Sequence, residues 1–132
     1  MKPDPDAAVL EALARKALQR LPAPLREMLA DVAVHVEELP DRETLAHFGI
    51  RDPYGLLGLY HGVSLPHKSS FISGEGPDVI VLYRRPIIAF WRAGSDSLAD
   101  IVTHILIHEA GHHFGFSDAE MAAIERGARG LR

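Results

Sequence analysis

Apolar residues recur at helical spacing through the N-terminal segment of the chain, from Pro3 to Arg20. With Asp6 near its start, this spacing predicts a first amphipathic helix over about residues 6–21. Pro22 and Pro24 should end that helix, because proline cannot continue one, and residues 25–30 predict a short second helix.

Three segments of the central region follow the patterns of β-strands. Residues 31–39 alternate, with Val32, Val34 and Val36 on one face, which predicts a half-buried strand. Residues 55–62 and 78–85 predict two further strands, the second being the more apolar and ending before Pro86. A short helix between the first two strands should end at Gly49. Residues 63–77, rich in Ser, Gly and Pro, predict a loop, whereas residues 87–91 fit a helix or a strand equally well.

The longest helix prediction spans residues 97–114, with Ser97 as its N-cap and Gly115 at its end. Its apolar residues point in nearly every direction around the axis, which is typical of a buried helix. Ser117 and Glu120 have the spacing of a capping box, so a last helix should begin there and reach about Arg126.

Composition narrows the possible classes of protein. A length of 132 residues suits a single domain, and the absence of cysteine excludes disulfides and thiolate metal sites. The net charge of −4 argues against nucleic acid or an anionic membrane as partner. No apolar stretch approaches the roughly 20 residues that span a bilayer, and the N-terminus lacks the apolar core of a secretory signal. We therefore expect a cytoplasmic protein.

Candidate chemistry concentrates in the stretch HILIHEAGHHFGFSD, residues 104–118, which holds four of the eight histidines. His108 and His112 are one helical turn apart and about 40° apart around the axis, so their imidazoles can converge on one metal ion. Glu109 lies about 60° round from His112, where a general base can act on a metal-activated water without binding the metal. The turn at Gly115 brings Asp118 back as third ligand and leaves the fourth position open, as in catalytic zinc sites.

Several neighbouring residues have less specific roles. Glu120 is a rival third ligand, although its capping-box spacing already accounts for it. His104 is expected to be a buried structural histidine rather than an additional ligand, and His113 to serve in packing or at the surface. Tyr60 and Tyr83 are candidates to stabilise an oxyanion, but packing is the expectation for both.

HEAGHHFGFSD resembles the HExxHxxGxxH/D pattern of zincin metallopeptidases, with Asp118 where metzincins have a third histidine. Together with LLGLYHGVSLPHKSSF and DVIVLYRRPI, it is similar to a family of small bacterial zincin-like metallopeptidases over about residues 25–125. That resemblance implies a compact α+β fold, with a small mixed sheet packed on the buried HExxH helix, a Zn²⁺ site and peptidase activity. The Met-turn of the metzincins is not evident, since Met121 follows the motif too closely.

The sequence therefore predicts a zinc hydrolase that cleaves peptide bonds, with Glu109 as general base and His108, His112 and Asp118 as metal ligands. An edge strand, within residues 56–62 or 79–83, could bind an extended peptide or protein substrate by strand addition. Two alternatives stay open. One is a zinc-stabilised binding module without efficient turnover. The other is a metal-dependent endoribonuclease, which Glu109 and the negative charge argue against.

Overall fold

A computed structural model describes residues 3–62 and 78–130 of the chain. The elements follow in chain order as α1 (Ala7–Arg20), α2 (Ala23–Met28), β1 (Ala33–Glu37), α3 (Arg42–Phe48), β2 (Gly58–His61), β3 (Val79–Tyr83), α4 (Arg84–Ala93), α5 (Leu98–Phe114) and α6 (Asp118–Gly130), with a 3₁₀ turn at Pro53–Gly55 before β2. The predicted loop at residues 63–77 lies outside the described residues.

The three strands form one mixed sheet in the order β1-β3-β2. β3 is central: Ile80 lies opposite Val34 in the parallel pairing with β1 and opposite Tyr60 in the antiparallel pairing with β2. All three predicted strands are confirmed. The expectation that residues 79–83 could accept a peptide as an edge strand is wrong, because both sides of β3 are already paired. That role can fall to β2.

α5 passes through the centre of the fold, where it contacts α1, β2, α4 and α6. Its apolar positions are buried as predicted: Ile101, Val102, Ile105, Leu106, Ile107 and Ala110. Burying one aliphatic side chain of this size contributes about 1.5–3 kcal/mol, so this helix is firmly held. The architecture is thus α+β, with a small mixed sheet packed on the helix that carries the HExxH motif.

Their caps confirm both predicted boundaries of α5 and the predicted start of α6. Ser97 Oγ accepts a hydrogen bond from the N–H of Asp100 at 3.1 Å, and α5 ends at Gly115 in the left-handed conformation, with φ +79°. The Ser117–Glu120 capping box is complete, with each backbone N–H donating to the other side chain at 2.7 and 3.1 Å. α6 begins at Asp118, directly after Ser117, and continues to Gly130, beyond the predicted end near Arg126.

The region around Pro86 differs from the prediction. β3 ends at Tyr83 and leads directly into α4, so Pro86 does not stop a strand but lies in the first turn of a helix. Proline is tolerated there because N–H groups of the first turn have no partner within the helix. The ambiguous residues 87–91 are helical.

Candidate metal centre

α5 carries both histidines of the motif on one face. The imidazole centroids of His108 and His112 are 6.1 Å apart, and the ring planes are nearly perpendicular at 79°. Two imidazoles bound to one tetrahedral zinc ion, with nitrogens at about 2.0–2.1 Å, have centroids about 5 Å apart. The two side chains would have to approach each other by about 1 Å to bind one zinc ion. Side-chain rotation can supply that movement, because both residues are one turn apart on the same helix. Nitrogen and oxygen donors alone also suit zinc.

His108 has the electrostatics of a metal ligand. Its pKa is lowered, first by burial and then by the neighbouring His104, while the carboxylates of Glu125 and Asp118 partly oppose that shift. A lowered pKa favours the neutral imidazole, which offers a lone pair to a metal ion. Asp118 is therefore near enough to act on His108 electrostatically.

Asp118 is an exposed residue in the first turn of α6, three residues beyond the turn at Gly115. Its role as third ligand stays a prediction, because Asp118 does not belong to the converging group found among residues 3–62 and 78–130. In that group, ligand atoms of His104, His108 and Glu125 all lie within 4.8 Å of one another. Glu120, the rival ligand, is engaged in the capping box, and its hydrogen bonds from Ser117 lower the pKa of its exposed carboxyl.

Glu109 faces β2 rather than α6. Its partly buried carboxylate accepts a hydrogen bond from the backbone N–H of Tyr60. Burial raises the pKa of Glu109, and the nearby His112 and this hydrogen bond only partly oppose the increase. A carboxylate with a raised pKa holds a proton more strongly, which suits a group that must accept and return one near neutral pH.

The strand register explains why the Tyr60 amide is available to Glu109. The N–H of Tyr83 donates to the carbonyl of Leu57, so odd-numbered residues of this segment pair with β3. In an antiparallel ladder the intervening residues direct their N–H and C=O groups to the opposite side. Gly58 and Tyr60 therefore present their backbone groups at the outer edge of β2.

The side chain of Tyr60 anchors β2 to the end of α5. Its hydroxyl donates to Asp78 Oδ2 at 2.6 Å, and its ring stacks on His113 with centroids 4.0 Å apart and planes 18° apart. Nε2 of His113 also lies 4.0 Å from the same carboxylate oxygen. Burial and Asp78 raise the pKa of Tyr60 well above its ordinary value. The packing roles expected for Tyr60 and His113 are confirmed.

Tyr83 is also a packing residue, as expected. It is buried at the end of β3, and burial, followed by the charges of Glu37 and Asp41, raises its pKa to about 12. A phenol in that state keeps its proton at neutral pH.

His104 differs from the expectation, because its side chain is 49% exposed rather than buried. Nδ1 of His104 lies 2.8 and 3.0 Å from the two carboxylate oxygens of Glu125, and its ring stacks on His108 with centroids 3.9 Å apart. The sequence interpretation did not single out Glu125. Its spacing from Asp118 was the available signal, because seven residues are two helical turns and place both carboxylates on one face of α6.

A cleft of about 370 Å³ opens beside His108 and Glu109, within the range typical of small-ligand sites. Residues 55–58, which lead into β2, form one wall, and the N-terminal half of α5 forms another. The lining is mainly apolar, from Leu56, Leu57, Phe90, Ile101 and Ile105, and its polar members are Asp96, Asp100, His104, His108 and Glu109.

A buried helix bearing HExxH, an edge strand beside its glutamate and a following turn with an acidic residue are features of a zincin. Residues 29–128, about three quarters of the chain, match the zincin-like metallopeptidase family. The chain belongs to this family, and the resemblance noted in its motifs is confirmed. No curated protein matches the chain significantly. In the described parts of the chain, no helix has the length and apolar character needed to cross a membrane.

Proposed function

We propose that this protein is a zinc-dependent peptidase that hydrolyses peptide bonds at the HExxH segment of α5. The observation that carries the proposal is the position of Glu109. Its carboxylate is near His112 of the motif, has a raised pKa, and is held by a backbone amide of the edge strand. A glutamate that only decorated a helix surface would have none of these properties.

His108, His112 and Asp118 are the residues we propose as zinc ligands. The pair of imidazoles is close to the required separation, and the carboxylate of Asp118 acts electrostatically on His108. Zinc held there would supply a Lewis acid that polarises a peptide carbonyl and lowers the pKa of a water molecule.

Glu109 is the proposed general base and acid. Its carboxylate takes a proton from the attacking water and later gives that proton to the departing amine of the cleaved bond. The hydrogen bond from Tyr60 fixes the carboxylate during both transfers. The carboxyl can hold the proton between the two steps because burial raises its pKa.

The outer edge of β2 is the proposed binding surface for the substrate backbone. Gly58 lines the cleft and directs its N–H and C=O away from β3, so an extended peptide could pair with it by strand addition. The apolar lining of the cleft would then receive side chains of the peptide.

The Glu109→Gln variant tests this proposal directly. We expect hydrolysis of casein to fall by about 100-fold or more, since a general base contributes about 10²–10⁴ to the rate. Zinc stoichiometry should stay at the wild-type value, because Glu109 is not a proposed ligand. Glu27→Gln, the same change at an exposed position of α2, is the matched control and should leave both properties unchanged.

Two results would contradict the proposal. Wild-type turnover in Glu109→Gln would remove the assigned base, and a variant purified without zinc would make Glu109 a ligand. RNA assayed beside casein tests the endoribonuclease alternative, for which cleavage of RNA rather than casein is the expected result.

A further inference from the structure

The group formed by His104, His108 and Glu125 uses one histidine of the motif but neither of the other proposed ligands. His104 and His108 are stacked on one face of α5, and Glu125 reaches them from α6. Glu125 Oε1 lies 2.8 Å from Nδ1 of His104 and 3.7 Å from Nε2 of His108. Three potential ligand atoms therefore converge on the side of His108 away from Glu109.

The two distances to Glu125 are near those of a zinc site, and the stacked imidazoles of His104 and His108 would have to separate from a centroid distance of 3.9 Å to about 5 Å. Ligand atoms about 2.0–2.1 Å from a tetrahedral zinc ion are about 3.3–3.4 Å from one another. To meet that requirement, the distance from Oε1 of Glu125 to Nδ1 of His104 would have to increase by about 0.5 Å. The distance from the same oxygen to Nε2 of His108 would have to decrease by about 0.3 Å. The side chain of His104 is half exposed, so the ion can enter from solvent, whereas that of Glu125 is only 14% exposed and is held in place.

We propose that His104, His108 and Glu125 form a second zinc position, which excludes zinc from the catalytic one. The proposal rests on the function proposed above, because the catalytic position is assigned there to His108, His112 and Asp118. An imidazole nitrogen offers one lone pair, so Nε2 of His108 can bind a single ion at a time. The two positions are alternatives, and each chain holds one ion at His108.

An ion in the second position is poorly placed for hydrolysis. At 100° per residue, Glu109 lies about 120° around α5 from the midpoint of His104 and His108, but about 80° from that of His108 and His112. The second position is also shifted by one helical turn toward the N-terminus of α5. Although His104 and Glu109 line the same cleft, the proposed base is farther from this ion, both around and along α5, than from the catalytic one, so the ion would be held in a less active state.

The test removes the catalytic position and measures the zinc that remains. In a His112→Ala/Asp118→Ala chain, competition with a chromophoric chelator should still show one bound zinc ion. Adding Glu125→Gln, or separately His104→Ala, should weaken that binding by more than about 100-fold, beyond the 10–100-fold effect of partners outside a coordination sphere. His35→Ala, at an exposed position on β1, is the matched control and should leave the affinity unchanged.

The proposal would be overturned if the His112→Ala/Asp118→Ala chain bound no zinc, or if its zinc binding were insensitive to Glu125→Gln. His104 and Glu125 would then be only a hydrogen-bonded pair. Circular dichroism melts establish that each variant is folded. A second measurement needs only single substitutions. Wild-type protein loaded with cobalt should show two absorption components. Glu125→Gln should remove one of them and Asp118→Ala the other. A single component that persists in both variants would also refute the second position.

Both measurements report metal binding, so they separate this proposal from the proposed peptidase. Wild-type protein that hydrolyses casein but lacks the second component has the peptidase function alone. Protein that shows both components but no hydrolysis has the second position without the proposed activity.

Discussion

Replacing Gly58 with alanine tests whether close packing of β2 on α5 sets the position of Glu109. A Cβ at residue 58 would lie 2.5 Å from Cγ2 of Ile105 and 3.1 Å from the carbonyl oxygen of Val81. Relaxed carbon contacts are about 3.5–4.0 Å, so the strand would have to move by about 1 Å. Ile105 cannot yield easily, because it is buried and β-branched residues in helices have one strongly preferred rotamer.

Overpacking of this kind costs about 1–3 kcal/mol, and alanine recovers about 0.5–1 kcal/mol relative to glycine within a strand. The expected net loss is about 0.5–2 kcal/mol, which lowers the melting temperature by roughly 2–10 °C for a chain of this length. The same displacement draws the Tyr60 amide away from Glu109. A 1 Å misplacement can cost about 100-fold in rate, so kcat should fall by about 10–100-fold while zinc affinity is retained.

Differential scanning calorimetry and casein hydrolysis measure the two effects. Gly55→Ala is the matched control, because its added Cβ would meet only Cγ2 of Ile50, at an ordinary 3.7 Å. If Gly58→Ala and Gly55→Ala melt and turn over alike, the packing argument is refuted. A lower melting temperature with unchanged kcat would refute only the link between strand position and the base.

Three further predictions concern the metal and the charged groups. In a chelator competition, Asp118→Ala should weaken zinc binding far more than Glu120→Ala, because the carboxylate of Glu120 already caps α6. A larger loss of affinity in Glu120→Ala would reverse the ligand assignment. Chelation of zinc should lower the melting temperature, and the lost stability is about 4 kcal/mol if zinc was present at about 1,000 times its Kd. The circular dichroism melt should stay cooperative, because the core around α5 is independent of the ion. Outright unfolding on chelation would instead indicate a structural zinc site. In metal-free protein, Glu109→Gln should be more stable than wild type at pH 7, because the raised pKa of Glu109 makes its ionised form unfavourable in the fold. That stability difference should disappear as the pH falls below 4.5, the ordinary pKa of the carboxyl, because Glu109 is then protonated in both the folded and the unfolded chain. Denaturant titrations at several pH values measure the difference. A stability difference that does not change with pH would exclude this cause.

Local patterns were enough to predict the elements that carry the motif. The caps of α5 and α6 depend on residues at most three positions apart, and the burial of α5 follows from its own composition. The position of β3 within the sheet was only partly accessible. The uninterrupted apolar run of residues 79–83 is typical of a strand with both faces buried, which is more common inside a sheet than at its edge, but such a run does not specify the order of the strands.

The environment of the candidate site was less accessible, because it depends on contacts between residues distant in sequence. His104 was expected to be buried because its helix is apolar all round, but its side chain is 49% exposed and lies beside Glu125 of α6. The stacking of His113 on Tyr60 requires the end of α5 to meet the edge strand, which no periodicity specifies. Asp118 is a third case, in which the motif suggests a ligand whose final position depends on how α6 packs.

The hydrogen bond between the Tyr60 amide and Glu109 has a consequence for genetics. The donor belongs to the main chain, so every residue except proline supplies it equally well. An alanine scan across β2 would report the lost ring stacking and the lost bond to Asp78 at position 60, and would miss the contact with the proposed base altogether. Natural sequence variation at this position would be equally silent about that contact. Only a backbone substitution, such as an ester in place of the amide, can reveal how much the hydrogen bond contributes.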